Sequence, residues 1–160
     1  MARNVLPPQP AAALDAWVGL LRAHASSTRA LSAALEAKHG LTINDYEALL
    51  HLSRAADGRM RRVDLAQQLL LTASGVTRLL EGLERAGLVD RVTCDDDRRV
   101  AYAVLTAAGR KRLEAASKSH LAGVRVLFEE RFGEEELKRL AELLGRLGSG
   151  EPVDGESCSP

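Results

Sequence analysis

The sequence predicts a mainly α-helical fold with one small β-hairpin, and three observations predict it. Apolar residues make up 46% of the chain while aromatics stay at 3%, a Leu- and Ala-rich composition that favours helices over strands. Apolar side chains recur at intervals of three and four residues through most of the length. The one departure is LVDRVTC, then DDDRR, then VAYAVL, which reads as two short strands joined by a turn. With 160 residues, one domain with its own core is expected.

Residues 1–10 carry Pro7, Pro8 and Pro10 and form an irregular arm. From 11 to 38, Leu14, Trp17, Val18, Leu21, Ala25, Thr28, Leu31 and Leu35 make one helical stripe that stops before Gly40. LTINDYEALLHLS follows, with Thr42 as N-cap and Asp45 three residues on, a capping box. Ile43, Tyr46, Leu49, Leu50 and Leu52 are its buried side, and ADGRM breaks it. VDLAQQLL (Val63 to Leu70) is a short helix. A tight turn leads to TASGVTRLLEGLERAG, capped by Thr72, with Val76, Leu79, Leu80 and Leu83 facing inward and Gly87 ending it. After the hairpin, Thr106 starts a helix running to about Phe132, with Leu113, Ala116, His120, Val124, Leu127 and Phe128 on one stripe. Glu134 to Leu147 is the last helix, its acidic first turn suited to the helix dipole. The polar residues 148–160 are a disordered tail.

Two short helices joined by a turn and followed by a hairpin make a winged helix-turn-helix, spanning residues 39–109. The flanking helices, 11–38 and 110–147, carry more apolar surface than a winged helix of this size can cover. They are therefore expected to be N- and C-terminal dimerisation helices of a homodimer.

Other classes are excluded by what is missing. The N-terminus has no signal-peptide core, and no apolar run reaches the ~18 residues of a membrane span. A cytoplasmic protein without membrane contact is expected. Cys94 and Cys158 form no CxxC pair, and His24, His39, His51 and His120 show no HxxxH or HExxH spacing, so neither metal nor cofactor is expected. No Gly-rich phosphate loop, GxSxG or carboxylate pair points to an enzyme. Net charge is zero, yet residues 54 to 112 hold 12 Lys+Arg against 8 Asp+Glu. A basic middle between acidic ends is what a phosphate-binding surface would require.

The run GVTRLLEGLERAGLV, with the pattern Asp97-Arg98-Arg99 followed by Leu105-Thr106 and Gly109, resembles the MarR family of transcriptional regulators over about residues 40 to 115. The resemblance implies a homodimer that binds double-stranded DNA at a pseudo-palindromic operator, acts as a repressor, and is released by a small effector such as a phenolic acid or a purine-like anion. The alternatives are a regulator switched by thiol oxidation at Cys94, and a helical sensor that does not bind DNA.

Within that frame, Thr72, Ser74, Gly75, Thr77 and Arg78 form the front of the recognition helix. Small hydroxyls and a guanidinium suit the major groove and its phosphates, and Gly75 permits close approach. Against this stands a plain solvated helix. In CDDDRR, Asp95 and Asp96 shape the turn and Asp97 braces an arginine. Arg98 and Arg99 then reach the minor groove, as the resemblance implies; the competing reading is a solvated turn. For the effector, Trp17 offers a stacking face, and Arg22, His24, His51 and Asp64 could line the same region. Part of the chain is similar to the urate-responsive branch of the family, which uses a Trp with Asp and Arg residues.

Overall fold

A computed structural model describes residues 11–93 and 101–148. The order is α1 (Ala11–His39), α2 (Ile43–Arg54), a 3-10 turn (Ala56–Gly58), β1 (Arg59–Arg61), α3 (Arg62–Gln68), α4 (Ala73–Arg85), β2 (Val89–Thr93), β3 (Ala101–Leu105), α5 (Ala107–Glu129) and α6 (Glu134–Gly148). The expected fold class is the observed one. The chain forms two compact units divided after Gly123, and α5 passes through the division.

The first unit holds the winged helix. Its core is aliphatic, as composition required: Leu35 of α1, Leu41, Leu49 and Leu52 around α2, Leu65 of α3, Val76, Leu80 and Leu83 of α4, and Leu113 and Ala116 of α5 are all buried. The expected capping box closes α2. Asp45 N–H donates to Thr42 Oγ1 at 3.1 Å and Thr42 N–H donates to Asp45 Oδ2 at 2.9 Å, satisfying two orphan donors of the first turn.

Three boundaries differ from the sequence expectation. ADGRM does more than break a helix: Arg59–Arg61 is a third strand, giving an antiparallel sheet in the order β1-β3-β2 with Met60 opposite Ala103 and Arg91 opposite Ala103 on the other side. Three residues hold too little periodicity to announce a strand, and β1 forms because β3 offers it an open edge. α3 ends at Gln68, not Leu70. α5 ends at Glu129, not Phe132. There Arg131 turns back to donate from Nη1 to Leu127 O at 2.8 Å, occupying a carbonyl that a longer helix would use.

The second unit is the end of α5, a turn and α6. Glu136 Oε2 accepts from Gly133 N–H at 2.9 Å as a reverse cap for α6, and Lys138 lies 2.9 Å from both Glu134 and Glu135. Phe132, Leu143, Leu144 and Leu147 are exposed in this unit. Among the described residues no helix is long and apolar enough to cross a membrane.

Candidate functional site

The site is built on α4. Thr72 takes an extended conformation and its hydroxyl accepts from Gly75 N–H at 3.1 Å, which fixes where the helix begins. From there the 3.6-residue repeat sorts the side chains. Val76, Leu80 and Leu83 go into the core, while Ser74 and Arg78 are exposed on the opposite face, followed by Glu81 and Arg85. No acidic residue stands in the first turn of α4, so the positive end of its dipole and its free N–H groups face outward uncompensated, an arrangement that attracts anions.

The individual side chains are not equivalent. Ser74 Oγ lies 3.2 Å from Thr72 Oγ1. Thr77 is half-buried, and its hydroxyl donates to Ala73 O at 2.8 Å, so it presents mainly its methyl group outward. Arg78 makes no ion pair with any described residue. Gly75 has a reason internal to the helix as well as the one read from sequence. A Cβ there would stand 3.2 Å from Thr72 Oγ1 and 3.7 Å from Leu71 Cβ, crowding the cap that starts α4.

Beside α4 a shallow cleft separates it from the sheet, lined by Arg62, Thr77, Glu81, Glu84, Arg91 and Tyr102 among others. Sequence reasoning passed over Arg62 and Arg91. Their only signal was membership of the basic middle, since neither lies in a motif. The Arg59 guanidinium sits 5.5 Å from the Tyr102 ring centroid. Asp97, Arg98, Arg99 and Cys94 lie outside the described residues.

The five residues expected around an effector differ in exposure and partners. Trp17 is 57% exposed, so it is not a core tryptophan within the protomer. Arg22 and His24 are exposed on α1, and His51 is half-buried on α2. Asp64 is engaged elsewhere: its carboxylate accepts from Arg61 Nε at 2.7 Å and Nη2 at 2.9 Å, and this pairing raises the Arg61 pKa further. No hydrogen bond, ion pair or ring contact joins the five to one another among the described residues. A half-buried histidine that the effector reading did not include is His120. Its ring lies 4.7 Å from Tyr46, Nδ1 is buried without a partner among the described residues, and burial pushes its pKa down against the opposing pull of Glu47.

The scaffold around α4 is tied at its far end. Thr106 Oγ1 donates to Gly87 O at 2.8 Å and accepts from Gly109 N–H at 2.9 Å, so one hydroxyl joins the exit of α4 to the entry of α5.

Comparison with known proteins gives this arrangement a lineage. A model of the MarR family matches residues 39–100. The HTH-type transcriptional repressor YetL of Bacillus subtilis is 32% identical over 111 residues, covering 69% of this chain and 66% of that protein, just under two thirds of its length. Among solved structures, AbsC, a MarR family transcriptional regulator from Streptomyces coelicolor, is 32% identical with a TM-score of 0.77, over 89% of this chain and 96% of that one. A further MarR family regulator from the same organism, solved in complex with DNA, has a TM-score of 0.81 at 24% identity, over 96% and 97% of the two chains. At that identity it shows the shared fold. The relatives are transcriptional regulators, not enzymes.

Proposed function

The chain belongs to the MarR family of transcriptional regulators, and from that premise we propose that it is a cytoplasmic homodimer that represses transcription by binding a pseudo-palindromic operator and lets go when a small effector binds. The observation that carries DNA binding is the outward face of α4: exposed Ser74 and Arg78 directly behind a capped N-terminus with no acid in its first turn. Laid in the major groove, this end brings a hydroxyl, a guanidinium and free N–H groups to base edges and phosphates. Arg98 and Arg99, whose pattern with Asp97 resembles the family's, would serve the minor groove. Repression is supported by the name of the Bacillus subtilis relative.

The dimer is supported by apolar surface that the protomer leaves open. Leu14, Trp17 and Leu21 are exposed on α1, as are Leu121 on α5 and Leu143, Leu144 and Leu147 on α6, and burying such stripes in a second copy is the ordinary solution. The effector is an aromatic acid or purine-like anion, with Trp17 as stacking face and Arg22 or His24 as cation; all three are exposed on α1 and open to a ligand.

The test is retardation of the DNA upstream of the protein's own gene. Arg78→Ala, Arg98→Ala and Arg99→Ala should each weaken binding and lower the salt slope by ~1 per lost phosphate contact, with sedimentation still reporting a dimer. Binding and slope unchanged in all three would remove the DNA assignment. An effector should quench Trp17 fluorescence over the concentration range in which it releases DNA, and Trp17→Phe should blunt the release.

A further inference from the structure

Between α3 and α4 the backbone makes an unusual choice. α3 closes with a pair of hydrogen bonds: Leu71 N–H donates to Ala66 O at 3.1 Å and Leu70 N–H to Gln67 O at 3.3 Å. This is a Schellman motif, with Leu70 at the position that must turn left-handed and that glycine usually fills. Leu70 adopts φ +52, where a bulky side chain is a true outlier. Among the described residues only Asp57 shares a positive φ with a side chain, and aspartate tolerates that region. The strained side chain is not held there by packing, for Leu70 is 93% exposed. Its neighbours on both sides explain the turn: Leu69 is buried, and Leu71 packs against the core. The Leu70 side chain alone is left almost entirely outside the folded protomer.

Burial of Leu69 and Leu71 accounts for the backbone turn but not for a leucine at its exposed apex, where glycine would serve without strain; a bulky apolar side chain kept there points to a contact outside the fold. The location names the occupant. Leu70 precedes the Thr72 cap by two residues, so their Cα atoms are at most ~7.6 Å apart. Duplex DNA that reaches the Thr72–Ser74 end of α4 passes within reach of a leucine at that distance. Resting on the DNA-binding reading above, we infer that Leu70 is a DNA contact of the turn, packing its methyl groups on apolar surface of the duplex. That surface is a thymine C5 methyl in the major groove or the carbons of a deoxyribose.

The experiment uses the full chain and a duplex selected by the parent protein from a random-sequence pool. Leu70→Asn keeps a residue suited to the left-handed backbone but removes the apolar surface. Its affinity should fall about tenfold, the order expected for losing a partly buried leucine contact. The salt slope should not change, because no charge is lost, the melting temperature should equal or exceed the parent's, and the dimer should persist. Leu70→Met should bind within about twofold of the parent, since Met replaces Leu as an apolar side chain of similar volume. Uracil in place of each thymine in turn separates the two surfaces. A matching loss for the parent protein at one position identifies the methyl group, and no loss at any position identifies the sugar. Parent-like affinity in Leu70→Asn overturns the inference. So does a loss of affinity that comes with a lowered melting temperature, which makes the role structural, or with a broken dimer, which makes the occupant protein. If the parent selects no duplex at all, the DNA-binding reading fails and this inference with it.

Discussion

Two helix ends in this protein use the same hydrogen bonds and opposite residues. α3 closes through Leu71 N–H to Ala66 O and Leu70 N–H to Gln67 O; α4 closes through Leu88 N–H to Leu83 O and Gly87 N–H to Glu84 O. The left-handed position is Leu70 at φ +52 in the first and Gly87 at φ +68 in the second. The surroundings differ too. The end of α4 is bonded to the start of α5, where Thr106 N–H donates to Leu88 O at 3.2 Å and the Thr106 hydroxyl to Gly87 O at 2.8 Å. The end of α3 stands open at the N-terminal mouth of α4. The difference teaches that the α4 end follows the rule for a stable scaffold, whereas the α3 end departs from it beside the face of α4 proposed to meet DNA. Departures from local preference gather at functional surfaces.

The comparison can be broken most severely at Gly109. A Cβ there would lie 2.1 Å from Leu88 O and 2.8 Å from Leu105 Cδ1, so α5 could not approach the end of α4. Gly109→Ala should lower stability by about 3 kcal/mol, the upper range for overpacking, read as a drop in the denaturant midpoint. Exchanging the residues comes next. Gly87→Leu should cost about 1–2 kcal/mol because it imports left-handed strain; if it melts with the parent protein, strain at this position is cheap and the conformation of Leu70 carries no message. Thr106→Ala removes the cap of α5 and its link to Gly87 and should cost about 1 kcal/mol, while Thr106→Ser, which keeps the hydroxyl, should recover most of it. The smallest effect is Leu70→Gly. Relief of strain is offset by the greater freedom of glycine in the unfolded chain, so stability should stay within about 0.5 kcal/mol of the parent, measured by thermal unfolding.

Much of the candidate site is legible in the amino-acid sequence. The Thr72 cap, the inward row Val76, Leu80 and Leu83, and the exposure of Ser74 and Arg78 all follow from one period and one capping residue, and each is present in the fold. Other parts are hidden. Thr77 reads as an outward hydroxyl, but in the structure it bonds its own helix at Ala73. Asp64 reads as a candidate pocket carboxylate, but its ion-pair partner is Arg61, three residues before it. Short polar side chains have local backbone partners available, and which partner wins depends on rotamers that a sequence does not display.

By itself the sequence determined the helices, their caps, the hairpin strands and the winged helix-turn-helix order, because those depend on interactions within a few residues and on which face is apolar. Tertiary structure alone decided the third strand at Arg59–Arg61, which needs the edge of β3 to exist. It decided the close approach at Gly109, which depends on the distant carbonyl of Leu88 at the exit of α4. It also decided the fate of Leu70, read in the sequence as the last residue of a helix. The core claims Leu69 and Leu71 on either side of it, and a chain that must bury both while turning from α3 into α4 can do so only by twisting the residue between them outward and left-handed.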